Sequence, residues 1–403
     1  MVDVTRRDFV KAASGLAAAA GLMGASQALG LPAGSGGAPA SQGGAGAGNV
    51  EGKAVARVYR EDKAVGNPYR QRYFDQMADL VRRRHAQATV RREAAFRPDC
   101  SSPEAYEASI ATYRRQFVEL LGWPLAGDDA PVVGGPVPLR LEHVAEEELG
   151  RIDRVWIETL EGLETYGLLF TPPGEGPHPL VISQHGGGGT PEVCSGFLGP
   201  DNYNGMTRRV WRRGAVVFAP QLYMWSETYG PATNRPEMDA QLKQLGGSMA
   251  ALDIFQLSRC IDALAQRPTV APGRVGMLGL SWGGFTTLVT AAVETRLRGA
   301  YASCFFNTRR LYPMTPAVWQ GGAERFQDAE IAAMVCPRRL YIEVGRADEL
   351  FSAASAAPEA AKVRAIYDRL GLGGRFVYCE HSGGHALDTD DAGINFLMAA
   401  LEA

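Results

Sequence analysis

A serine, an acid and a histidine, met in that order far apart along a 403-residue chain, could together split an acyl bond. The serine stands in Gly279-Leu280-Ser281-Trp282-Gly283-Gly284-Phe285. It has glycine two positions to either side, an apolar run before it (Arg274–Leu278) and an Ala/Val/Thr-rich stretch after it (Thr286–Thr295). That is the pattern of a nucleophile elbow, a sharp strand-to-helix turn that pushes the hydroxyl outward. Side chains at the flanking positions would collide with the neighbouring strand and helix, which is why glycine is required there. Asp348 lies in the loop Arg346–Leu350 after the strand-like run Arg339–Gly345. His385 closes Gly383-Gly384-His385, shortly after the last strand-like run, Arg375–Cys379. A hydroxyl is a poor nucleophile until an imidazole takes its proton, so His385 is the candidate base. Asp348 would fix the imidazole tautomer and stabilise the transient imidazolium.

The developing oxyanion needs preorganised N–H donors. The amide of Trp282, next after the serine, is one candidate. The other is the amide of Gly186 or Gly187 in His185-Gly186-Gly187-Gly188-Gly189, which follows the apolar strand Pro179–Ser183. This glycine run lacks the Lys-Ser/Thr of a P-loop and the spacing of a dinucleotide fingerprint. His185 itself reads as a brace for the loop. Alternatives stay open at the acid: Asp348 could cap the helix-like stretch Pro358–Leu370, and Glu343 could serve in its place, although mid-strand it should point sideways into the sheet. His381, Cys379 and Glu380 lie close together, but no second ligand pair at a recognisable spacing accompanies them. The chemistry asks for neither a metal nor a cofactor.

On Ser281-Trp282-Gly283-Gly284 and Gly384-His385 the chain resembles serine esterases of the α/β-hydrolase superfamily, in the dienelactone hydrolase, acetylxylan esterase and prolyl-oligopeptidase-like branch. The resemblance covers roughly residues 135–403. It implies an α/β-hydrolase fold and a carboxylic ester hydrolase, with short-acyl or carbohydrate esters as the expected small-molecule substrates. The alternatives are a prolyl-oligopeptidase-like peptidase, for whose propeller the chain has no room, and a non-catalytic binding protein that retains the fold.

The elements needed to position these residues are present. Residues 55–125 read as an N-terminal helical extension packed on the hydrolase core. Ser102-Pro103 marks a helix start, and Tyr106, Ile110, Tyr113, Phe117, Leu120 and Leu121 share one face up to Gly122. Strands follow at Leu139–Val144, Ile152–Thr159 and Thr165–Thr171, an antiparallel beginning. Val181–His185, Ala215–Ala219, Val275–Leu280, Gly299–Phe306, Leu340–Val344 and Phe376–Cys379 then alternate with helical stretches. That order predicts an α/β fold, a mostly parallel doubly wound sheet. Two inserts on the expected catalytic edge would act as lids and line the substrate pocket. One holds Trp225, the other Arg309, Arg310, Tyr312 and Trp319.

The front of the chain speaks to location. Thr5-Arg6-Arg7-Asp8-Phe9-Val10-Lys11 resembles a twin-arginine export signal, ahead of a short Ala/Gly-rich core and a small-residue cut site at Ser26-Gln27-Ala28. The expected organisation is a signal peptide over 1–28, a flexible Gly/Ala/Ser linker over 29–50, and a single hydrolase domain over 51–403. Export machinery is then a partner, and the mature protein is periplasmic or secreted with no stable membrane span. Removing 1–28, which carries three basic and two acidic residues, moves the net charge from −3 to −4. Neither value suggests a nucleic-acid partner. The cluster Arg82-Arg83-Arg84 with Arg91-Arg92 is most simply a solvated helix face. Six cysteines make no disulfide framework in a chain of this length, and Cys100–Cys194 is the pairing expected if any bridge forms.

Overall fold

The computed structural model describes residues 59–131, 136–160, 162–199, 201–223 and 235–402. The signal and linker readings, and Trp225, lie outside them. The described residues form nine strands: β1 (Leu139–Glu147), β2 (Gly150–Leu160), β3 (Leu163–Thr171), β4 (His178–Gln184), β5 (Val216–Pro220), β6 (Val270–Leu280), β7 (Leu297–Ser303), β8 (Arg339–Gly345) and β9 (Phe376–His381). They form one sheet in the order β1-β2-β3-β5-β4-β6-β7-β8-β9. The β1–β2, β2–β3 and β3–β5 pairs are antiparallel, and every pair from β5 to β9 is parallel. Every strand predicted above is present. β2 alternates between buried and half-buried positions, whereas β5 is buried throughout. The contrast follows from parallel strands being covered on both faces.

The helices named below are α1 (Lys63–Ala95), α2 (Pro103–Leu121), α3 (Met206–Trp211), α4 (Met249–Ala265), α5 (Trp282–Val293), α6 (Asp328–Ala333), α7 (Ala353–Arg369) and α8 (Ala392–Glu402). One core lies between the sheet and α2, α4, α5 and α7, filled by Phe117, Ile254, Phe285 and Tyr367 among others. The second holds Trp211 of α3 and Ile394 and Leu397 of α8 on the opposite face. The result is the three-layer α/β arrangement.

α2 starts and stops as its sequence dictates. The Ser102 hydroxyl accepts the Ala105 N–H at 3.1 Å, Pro103 opens the first turn, and Gly122 ends the helix at φ 76°. Tyr106, Ile110, Phe117 and Leu121 are its buried face. The part of α1 up to Gln87 belongs to a compact unit other than the one that holds the sheet. Beyond it, Arg91 and Arg92 are not simply solvated: Arg91 pairs with Glu324, and Arg92, 5% exposed, pairs with Glu330 at 3.0 Å. α7 begins five residues before the expected Pro358, because the Ala-rich turn ahead of that proline is itself helical. All six cysteines are free thiols. Cys100 packs against one core and Cys194 in the other, with the sheet between them.

Candidate active site

The sheet order reverses about β4: the chain leaves β4 for β5 on one side, then returns to β6 on the other. Ligands of open α/β sheets bind outside the carboxyl ends of strands at such a switch point. The glycine loop after β4 and Ser281 after β6 flank it.

Ser281 has φ 60° and ψ −123°, a conformation that non-glycine residues adopt only when their surroundings compel it. The compulsion is backbone crowding. A Cβ on Gly283 would lie 2.1 Å from the Gln184 carbonyl oxygen, and one on Gly279 would lie 2.4 Å from that of Gly283. The Ser281 N–H donates to the Ser303 carbonyl at the end of β7 at 2.9 Å, and α5 starts at Trp282. The elbow is thus wedged between β4 and β7.

Asp348 and His385 come together across 37 residues of sequence, with Nδ1 and Oδ2 2.9 Å apart. The Asp348 side chain is fully buried, and that of His385 is 15% exposed. The other carboxylate oxygen, Oδ1, accepts the N–H groups of Leu350 at 2.7 Å and Phe351 at 3.0 Å. One carboxylate therefore closes a turn with one oxygen and meets an imidazole with the other; it does not cap the following helix, whose N-cap is Ser352. The His385 loop is held from outside: Asn202 donates its side-chain amide to the His385 carbonyl at 3.1 Å and accepts the Leu387 N–H at 2.9 Å. The Phe351 ring lies 5.8 Å from the imidazole. Asn202 and Phe351 carry no motif; proximity alone marks them. Glu343, the alternative acid, bonds Tyr301 and Ser303 instead.

Gly186 abuts Ser281, since a Cβ there would sit 2.9 Å from the Ser281 Cβ. Its N–H, however, donates to the Tyr203 hydroxyl at 2.8 Å. That bond engages the Gly186 N–H within the protein, whereas Gly187 is the other amide of the candidate pair. His185 is the brace its position suggested. Its Nε2 accepts the Leu222 N–H at 2.9 Å, so Nδ1 carries the proton and donates to the Gly186 carbonyl at 2.7 Å. Burial pushes its pKa down to about 4.

Cys304, Asp348 and His385 offer atoms within 4.8 Å of one another, the geometry of a possible metal cluster. Burial pushes the Cys304 thiol up to about 12, and Nδ1 of His385 is engaged by Asp348, so this donor set suits proton movement better than metal binding. Of the expected pocket residues, Arg309 is corrected: it is 2% exposed, paired with Asp328 and placed over the Phe305 ring at 4.4 Å. It is an internal strut of the insert. Arg310 is exposed, and Tyr312 packs against Phe351 in a tilted pair with centroids 4.9 Å apart, one ring away from His385.

Residues 166–365 match the Dienelactone hydrolase family, a span that contains Ser281 and Asp348 and stops short of His385. The chain has the α/β-hydrolase fold and is a carboxylic ester hydrolase. It is 25% identical over 293 residues to "Putative hydrolase YtaP" of Bacillus subtilis (strain 168), covering 68% of this chain and 93% of that one. Among solved structures, a glucuronoyl esterase from Solibacter usitatus superposes with TM-score 0.56 at 14% identity, over 74% of this chain and 94% of that one. A "putative acetyl xylan esterase" from Bacteroides fragilis NCTC 9343 gives 0.57 at 15% identity, over 78% and 88%. At such identities the likeness concerns the fold. No helix among the described residues is long and apolar enough to cross a membrane.

Proposed function

We propose that this hydrolase works through an acyl-enzyme on Ser281, with His385 as general base and then general acid, and Asp348 as its orienting partner. The carrying observation is the 2.9 Å Asp348–His385 contact on the sheet edge where Ser281 is held at φ 60°. His385 takes the hydroxyl proton as Ser281 attacks the ester carbonyl, then delivers it to the departing alcohol. Water repeats the cycle on the acyl-enzyme. The amides of Trp282 and Gly187 receive the oxyanion, each worth about 3 kcal/mol of barrier.

Short-acyl esters of carbohydrates are the preferred substrates, a reading supported by the names of the glucuronoyl and acetyl xylan esterases that share the fold. Residues 1–28 and 29–50 are read as a twin-arginine signal and a linker, which makes the enzyme exported. Residues 51–403 are read as its hydrolase domain. A fluorophosphonate probe should label the purified protein, and Ser281→Ala should abolish both labelling and turnover of p-nitrophenyl acetate. Labelling that survives Ser281→Ala would defeat the assignment. Strong turnover of acetylated sugars with almost none of a proline peptide anilide is expected; the reverse would favour the peptidase.

A further inference from the structure

Behind the candidate triad lies a carboxylate that the proposed reaction does not use. Glu343, in the middle of β8, is 1% exposed. Its Oε1 accepts the Ser303 hydroxyl at 2.7 Å and the Asp388 N–H at 3.0 Å, and its Oε2 accepts the Tyr301 hydroxyl at 2.6 Å. Removing a carboxylate from water is expensive unless donors replace the solvent, and here three do.

The segments supplying those donors are the ones that hold the reacting groups. Ser303 is the residue whose carbonyl receives the Ser281 N–H. Asp388 lies three residues beyond His385, and between them the loop touches the sheet side through the weak Cys304 thiol contact to the Ala386 carbonyl at 3.4 Å. Glu343 therefore grips, with one oxygen, both the strand end beneath the nucleophile and the loop that carries the imidazole. We propose that Glu343 is a positioning residue that sets the separation of Ser281 and His385 by clamping the end of β7 to the His385 loop. This rests on the reading of Ser281 and His385 as nucleophile and base.

The test compares Glu343→Ala and Glu343→Gln by kcat, KM and melting temperature on p-nitrophenyl acetate. Glutamine keeps one oxygen for Ser303 and Asp388, and its amide meets a Tyr301 hydroxyl that is free to turn. Alanine should lower kcat about 100-fold with KM within about threefold, the loss typical of a misplaced reacting group, and glutamine should restore kcat to within about fivefold of wild type. If the alanine protein does not fold, Tyr301→Phe and Ser303→Ala are read instead, each expected to lower kcat about tenfold at unchanged KM. Full kcat in Glu343→Ala, full kcat in both single-donor variants, or glutamine as impaired as alanine would overturn the proposal. Failure of the underlying reading looks different: activity would then survive in Ser281→Ala.

Discussion

Ser281 and His385 are held in place by opposite means. Ser281 is fixed by backbone atoms pressed together, with glycines leaving no room beside Gln184, Gly283 and Ser303. His385 sits on a loop tied down by side chains from distant elements: Asn202, Asp348 and, through Asp388, Glu343. A contact made of backbone tolerates no substitution, whereas one made of side-chain hydrogen bonds can be weakened step by step. The serine end should therefore fail all at once and the histidine end by degrees.

After loss of Ser281 itself, the largest effect should come from Asp348→Asn. The amide would favour the wrong imidazole tautomer while the turn at Leu350–Phe351 survives, so kcat should fall about 10⁴-fold with the melting temperature nearly kept. A drop of less than tenfold would mean that Asp348 only closes the turn. Gly283→Ala should break the elbow itself, because the added methyl would meet a carbonyl oxygen at 2.1 Å. A loss of about 3–5 kcal/mol by urea titration is expected, together with loss of probe labelling.

A smaller effect reads out the oxyanion side. His185 is buried neutral with its pKa lowered to about 4, against 6.5 in the unfolded chain. Between pH 6.5 and 4 the unfolded state binds a proton that the folded state refuses, so this contribution is fully present above pH 6.5 and is lost as the pH falls. Its ceiling is on the order of 3 kcal/mol. His185→Asn should flatten that part of the stability curve, and an unchanged slope would contradict the assignment. Tyr203→Phe should be mildest. It frees the Gly186 N–H beside Ser281, and kcat should change by about threefold or less if Gly187 is the donor. A change of 100-fold would show that Tyr203 and Gly186 shape the oxyanion site directly.

Legibility in the sequence followed the same division. The strands, the elbow and α2 were readable because each depends on periodicity, glycine placement and caps within a dozen residues. That the Gly186 N–H is engaged could not be read, since its partner, the Tyr203 hydroxyl, reaches back from 17 residues on. Arg309 suggested a pocket cation because its partner, Asp328, lies 19 residues later, at the start of α6. Without that carboxylate in view, an arginine beside aromatics looks like a binding group.

The order of serine, acid and histidine, and the sharp turn beneath the serine, belong to the polymer itself, because strand alternation and missing Cβ atoms act locally. That the Gly186 amide is engaged, which carboxylate meets the imidazole, and that Glu343 spans β7 and the His385 loop were decided only by packing. Those outcomes depend on donors and acceptors from remote segments arriving within about 3 Å of one another, a distance on which no spacing along the chain bears.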